Sequence, residues 1–218
     1  MATIPAKVRE RLVAGIKRFQ PILANAKARD VNESDTVTII KDILSEVFGF
    51  DKYSEVTSEY TIRSTFVDLA IKIDGALELI IEVKAIGLDL KDNHVKQAVD
   101  YAANQGVEWV VLTNGVTWNV YRVAFKQPIE HELVFKIDFS ALLPKSDDDL
   151  EMLYLVTREA LVKSALGDYH AQRQALSRYF IGAVTLSEPV LDVIRRELRR
   201  LSPDVRIDNA QISDVLTQ

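Results

Sequence analysis

Two acids and a lysine, Asp68, Glu82 and Lys84, stand in adjoining apolar stretches where charge is out of place. The stretches are FVDLAIKI (66–73) and ALELIIEVKAI (76–86), joined through the turn dipeptide Asp74-Gly75. Side chains on a strand alternate between faces. Val67, Leu69, Ile71 and Ile73 are all apolar, and so are Leu77, Leu79, Ile81 and Val83. One sheet face has to hold both sets, because exposing either leaves an apolar stripe in water. Bulges aside, paired residue numbers then sum to an even number. A three-residue connection, Asp74-Gly75-Ala76, pairs Ile73 with Leu77 and sets Asp68 opposite Glu82, with side-chain origins ~5 Å apart. A two-residue Asp-Gly turn gives odd sums and mismatched faces, so the longer connection is expected. Lys84 follows on the face of Glu82.

Facing carboxylates repel and raise one another's pKa unless a cation lies between them. A divalent ion with oxygen ligands is the natural choice, and Mg²⁺ suits few carboxylates plus waters and phosphate oxygens. A lysine beside them can hold a phosphate or orient a water, which together is apparatus for metal-assisted phosphodiester hydrolysis. The same charges would also suit the solvated face of an amphipathic hairpin. Two features speak for the site. Glu82 lies in LELIIEVKAI, which reads as a central strand covered on both faces, where an unpaired charge is costly. Glu33, at ~100° per residue, projects within ~30° of the centre of the apolar stripe of its helix, whereas Glu46 points away. Glu33 could reach the end of the sheet and join a metal shell; stabilising its helix N-terminus would be reason enough for an acid there.

These residues need a scaffold, and the chain offers one. A helix is expected over 5–20, broken or kinked at Pro21. A second runs from an Asn32 or Ser34 cap to Phe48, with Gly49 as its stop. Strands follow at roughly 54–62, 66–73 and 77–85, then a helix over 90–105 ending near Gly106. VEWVVLT (107–113) reads as a buried strand, Asn114-Gly115 as a hairpin turn and TWNVYRV (117–123) as its partner. Residues 129–139 read as an edge strand. Helix, three strands, helix, strand implies an α/β fold, a mixed central sheet with helices packed on it. From SDDDL (146–150) onward the pattern is helical, over 149–166, 168–183 and 188–201. The expected division is a domain of 1–145, with 1–30 as a helical extension, and a C-terminal helical region of 146–218.

Roughly residues 30–140 carry a resemblance, on the ordered set Glu33, Asp68, Glu82-Val83-Lys84, Gln97-x-x-x-Tyr101 and LTNG (112–115). The stretch FVDLAIKIDGALELIIEVKAIGLDLKDNHVKQAVDYAANQGVEWVVLTNGVTWNVYRV resembles the N-terminal nuclease domain of type I restriction enzyme R subunits and related stand-alone prokaryotic proteins. Those belong to the PD-(D/E)xK nuclease superfamily, so the resemblance implies a restriction-endonuclease-like αβββαβ core and a metal-dependent DNA endonuclease. It implies that Asp68, Glu82 and the Val83 carbonyl ligate Mg²⁺ or Mn²⁺. Lys84 becomes the catalytic lysine, and Glu33 assists through a water. Gln97 and Tyr101 match the Gln-x-x-x-Tyr element that orients DNA or the site, and being four apart they share a helical face. Val67 stands where the proline of the superfamily's name would be.

Composition narrows the alternatives. The 218 residues carry 48% hydrophobic and 27% charged side chains, as expected of one globular domain with an appendage. No cysteine is present, which excludes disulfides, thiolate metal sites and thiol nucleophiles and suits the cytoplasm. A net charge of −5 argues against a protein that simply coats nucleic acid. Positive charge is local: Lys7, Arg9, Arg11, Lys17, Arg18, Lys27 and Arg29, then Arg195, Arg196, Arg199, Arg200 and Arg206. No G-x-x-x-x-G-K-[ST] occurs, so this chain has no P-loop motor. No apolar run nears the ~20 residues of a membrane span. DNA is the expected partner. The C-terminal helices offer a homodimer contact or a seat for a separate methylase or helicase subunit. A catalytically idle nucleic-acid-binding or regulatory module on the same fold is the alternative function.

Overall fold

The apolar run 66–83 lies at the middle of a sheet. The structure, a computed structural model, describes residues 3–62 and 65–217, with backbone alone for 59–62, 65 and 66. Two compact units divide the chain, Met1–Leu166 and Gly167–Gln218. In the first, helices α1 (Ala6–Ala28) and α2 (Glu33–Glu46) precede strands β1 (Val56–Ile62), β2 (Thr65–Ile73) and β3 (Ala76–Val83). Helix α3 (Asp92–Gln105) leads to β4 (Trp109–Thr113), β5 (Thr117–Ala124) and β6 (Glu130–Asp138). Helices α4 (Asp147–Tyr154) and α5 (Arg158–Val162) close the unit. The sheet order is β1-β2-β3-β4-β5-β6. Its one parallel pair is β3–β4, whose crossover is α3; every other pair is antiparallel. This is the expected αβββαβ order in a mixed sheet, extended by β5 and β6.

The hairpin that carries the acids reaches its register by another route than expected. Ile73 pairs with Ala76 across a two-residue turn, with Asp74 at φ 51° and Gly75 at φ 84°. Both central residues are left-handed, the conformation that suits the twist of a tight hairpin. Lys72 pairs with Leu77, an odd sum. A bulge then intervenes, and Ile71 pairs with Leu79, Ala70 with Ile80 and Leu69 with Ile81, the even sums that the apolar faces require. Glu78 is the extra residue. Before the bulge Leu77 packs with the α3-side cluster, so it does not share a face with Ile81 as the alternation implied. The three-residue connection is thus corrected, while the register beyond it stands.

Layers cover both sheet faces. Ala70, Ile80, Val110, Leu112, Tyr121 and Val123 form one core with Val95, Ala98, Val99, Tyr101 and Ala102 of α3. Leu69, Ile71, Ile81 and Val83 point the other way and are equally buried. A Cβ on Gly115 would meet Leu23 of α1 and Ile40 of α2, so these helices reach the β4–β5 turn. Helix α1 continues through Pro21 instead of breaking. Pro21 and Lys17, whose carbonyl loses its partner, are both exposed, so water can satisfy the vacant acceptor.

The compact unit runs about twenty residues past the composition change at 146. Leu150, Leu153, Tyr154, Val156 and Ala160 are buried. Arg158 binds Glu55, Arg11 binds Glu159, and the Arg158 N–H donates to the Phe48 carbonyl. The expected helix 149–166 is cut in two because Thr157 caps a new start, accepting from the Ala160 N–H. Helix α6 (Ala165–Ala175) begins at the junction. In the second unit, α7 (Arg178–Thr185) is separated from it by a Ser177 cap, and α8 (Glu188–Leu201) follows. A last helix not foreseen in the sequence, α9 (Asn209–Leu216), starts at an Asp208–Gln211 capping box. Leu191 and Ile212 are buried there, while Tyr179, Phe180, Ile181 and Val184 of α7 are exposed. Among the described residues no helix is long and apolar enough to cross a membrane.

Candidate active site

Continued by one step, the Leu69–Ile81 register sets Asp68 of β2 opposite Glu82 of β3. Asp68 also ties the strands together: its Oδ2 accepts from the Val83 N–H at 2.7 Å. Glu82 is 6% exposed, although charged. Lys84, just past the end of β3, turns its Nζ to 2.6 Å from Glu82 Oε1. The same Nζ is 3.8 Å from Oε2 of Glu33, the first residue of α2. Asp68, Glu82, Lys84 and Glu33 therefore come together at one end of β3. Glu46 does not join them; it pairs with Arg18 at 3.1 Å.

The electrostatics follow from burial and crowding. Burial pushes the Glu82 carboxyl up; the Lys84 hydrogen bond opposes this, and the charges of Asp68 and Glu33 add to it, so it stays above the ordinary value. For Lys84 burial works against the charge, but the bond to Glu82 and the charges of Glu82, Glu33 and Asp68 prevail and hold the ammonium above its ordinary pKa. Three acids around one lysine leave an excess of negative charge.

The chain beyond Lys84 is pinned by groups that sequence patterning missed. The Lys84 N–H donates to the Thr113 carbonyl at 2.8 Å. Thr36 of α2, fully buried, accepts from the Ile86 N–H at 3.1 Å and donates to the Asn32 carbonyl at 2.8 Å. Asn114 donates from Nδ2 to the Leu88 carbonyl at 2.9 Å, and its Oδ1 accepts from the Thr117 N–H at 2.7 Å. The only signal for Thr36 was a small polar residue on the apolar stripe of its helix. Gln97 and Tyr101 lie on α3, Gln97 exposed and Tyr101 buried in the core beneath the sheet; neither hydrogen-bonds Asp68, Glu82 or Lys84.

Among the described residues no three acidic or histidine side chains gather as a ready metal cage. The donors present are fewer and harder. Asp68 Oδ1 and Glu82 Oε2 have no hydrogen-bond partner among the described residues, and the excess negative charge favours a cation. Two carboxylates fit an ion such as Mg²⁺ that keeps several waters; they do not fit a closed zinc site.

Residues 39–136 match the family model for the type I restriction enzyme R protein N terminus. The match covers just under half of the 218 residues and points to a restriction-nuclease-related function. It contains Asp68, Glu82, Val83, Lys84, Gln97 and Tyr101; Glu33 precedes it, so its place beside the restriction-enzyme match rests on geometry alone. No curated protein and no solved structure matches the chain.

Proposed function

We propose that this chain is a metal-dependent nuclease of the PD-(D/E)xK superfamily that hydrolyses DNA phosphodiester bonds. The observation that carries this is the convergence of Asp68, Glu82, Lys84 and Glu33, which brings an unbalanced group of acids and a lysine to one sheet end. Asp68, Glu82 and the Val83 carbonyl hold Mg²⁺ or Mn²⁺ in this reading. The bound ion supplies charge against a phosphate oxygen and an activated water. Asp68 sets the spacing of the carboxylates through its bond to the Val83 N–H. Lys84, whose ammonium lies 2.6 Å from Glu82 Oε1, would hold the scissile phosphate beside the carboxylates. Glu33, half exposed at the rim, orients a water. Gln97 and Tyr101 position the α3 side of the site or the DNA. These residues hold no P-loop and do not themselves drive translocation, and a methylase or helicase partner is part of the proposal.

The test combines calorimetry with an assay. Mn²⁺ should bind the wild type and fail to bind Asp68→Asn, which keeps a carbonyl oxygen for the Val83 N–H but loses the charge. Single-stranded, double-stranded, branched and methylated DNA should be offered with Mg²⁺ or Mn²⁺, without ATP, against a chelator control. Metal-dependent cleavage of any of them supports the reading. Binding of DNA without cleavage of any makes the idle module the correct one.

A further inference from the structure

The row that begins at Asp68 and Glu82 continues across the sheet. Glu82 pairs with Leu112, Leu112 with Asn119, and Asn119 with Lys136. At ~4.8 Å per strand, Asn119 stands ~10 Å from Glu82 and Lys136 ~14 Å. A cleft of about 300 Å³ opens there, lined by Leu88, Asn114, Asn119 and Lys136, with Lys27 and Asp89 at its edge. Asn119 is 8% exposed, and its buried Oδ1 has no hydrogen-bond partner among the described residues. A buried acceptor left this way has room for a donor that the chain does not supply, a water or a group of a ligand that displaces it. Lys27 and Lys136 form no ion pair among the described residues, Asp89 included. An edge strand is a common place for a lysine, and so is the last turn of a helix. Neither fact accounts for Asn119.

We propose that this cleft binds one nucleotide of the strand being cut, its phosphate between Lys27 and Lys136 and a base N–H on Asn119 Oδ1. The strand's path rests on the nuclease reading above; the cleft itself does not. Two cations alone would suit any phosphate. A phosphate monoester dianion has no donor for Oδ1, whereas nucleobases carry ring N–H or amino groups. The volume lies at the small end of small-molecule pockets. The ~10 Å to Glu82 spans about three nucleotides of a stacked strand.

The test uses the full chain in chelator, so no cleavage enters the readout. Nucleoside 5′-monophosphates and methyl phosphate, the phosphate without a base, are titrated while the amide signals of Leu88, Asn119 and Lys136 are followed. A single-stranded oligodeoxynucleotide is titrated by anisotropy over a range of salt. The wild type should bind a nucleotide more tightly than methyl phosphate. Lys27→Gln with Lys136→Gln should lose both and lower the oligonucleotide salt slope by about 0.7, the share of the one phosphate they hold on a single strand. Asn119→Leu should melt at higher temperature and bind nucleotide no better than methyl phosphate. Equal wild-type affinity for nucleotide and methyl phosphate, or an unchanged slope in the double variant, overturns the cleft. Those results leave the nuclease reading intact if metal-dependent cleavage is seen; lost cleavage with the expected binding changes sinks the nuclease reading and keeps the cleft.

Discussion

Glu82 shows what a buried charge costs a fold. It is buried on a central strand, beside Asp68 and near Glu33, with one lysine to offset three acids. Glu82→Gln removes that repulsion at almost no change in volume. We expect it to raise the melting temperature in chelator by a few degrees, and to abolish the further rise that Mg²⁺ gives the wild type through binding the folded state alone. Differential scanning fluorimetry with and without Mg²⁺ reads both, and a Mg²⁺ rise that survives in the variant places the ion elsewhere. The four residues of this cluster were legible because each is a charge in an apolar pattern. The bond from the Val83 N–H to Asp68 was not, since a side chain bonding a neighbouring strand's backbone leaves no period. Asn119 was half legible: it is polar on the inward-facing alternation 119, 121, 123, but only the structure shows its unpaired oxygen.

The elements were read in order, and the errors fall where local chemistry overrides a period. Alternation fixed the faces of the hairpin but not how the odd residue is absorbed. A left-handed Asp74-Gly75 turn and a bulge at Glu78 achieve together what a three-residue turn would have done alone. Deleting Glu78 should be far worse than Glu78→Ala. It would carry the odd register toward Glu82 and turn that residue off the face of Asp68, or force the hairpin to reopen its turn. Loss of the native amide spectrum on deletion, with Glu78→Ala near wild type, is the expected pair of results. Gly75 at φ 84° has open space around its missing Cβ, so Gly75→Ala meets only backbone strain and should cost about 1–2 kcal/mol in chemical denaturation. A much larger loss would mean that the turn is packed. The helix breaks at Thr157 and Ser177 were missed for the same reason: a single hydroxyl cap outweighs a continuing apolar stripe.

At the scale of the whole molecule, α4 and α5 belong with the sheet unit. Ending the chain after Leu166 should leave that unit folded. Ending it after Lys145 removes Leu150, Leu153, Tyr154, Val156 and Ala160, and at about 1.5–3 kcal/mol for each large side chain this rivals the whole stability of a domain. Circular dichroism melts of the two truncations decide between boundaries at 166 and 145. Arg11 clasps Glu159 at 2.6 and 2.8 Å while donating to the Val47 carbonyl at 2.9 Å. Burial pushes the Glu159 carboxyl up, but the Arg11 bonds and charge outweigh it and hold it below its ordinary value of 4.5. A lowered carboxylate stabilises the fold above its ordinary pKa, and that contribution is lost as pH falls through the folded value. Stability should therefore drop on the acid side of 4.5 more steeply in the wild type than in Arg11→Gln. Equal slopes would show that the clasp carries no weight.

Cleavage is the property of the assembled site, and Lys84 separates it from binding. In the proposed site Lys84 would meet the phosphate where negative charge builds in the transition state, so Lys84→Ala should lower metal-dependent DNA cleavage by about 10²–10³-fold. DNA affinity draws on many phosphate contacts, and losing one should reduce the salt slope by only about one. Single-turnover cleavage and equilibrium binding of one DNA substrate, measured on wild type and Lys84→Ala in Mg²⁺ or Mn²⁺, give both numbers together. The expected result is cleavage slowed by about 10²–10³-fold with binding nearly unchanged; cleavage by Lys84→Ala at the wild-type rate would contradict the assignment of this site.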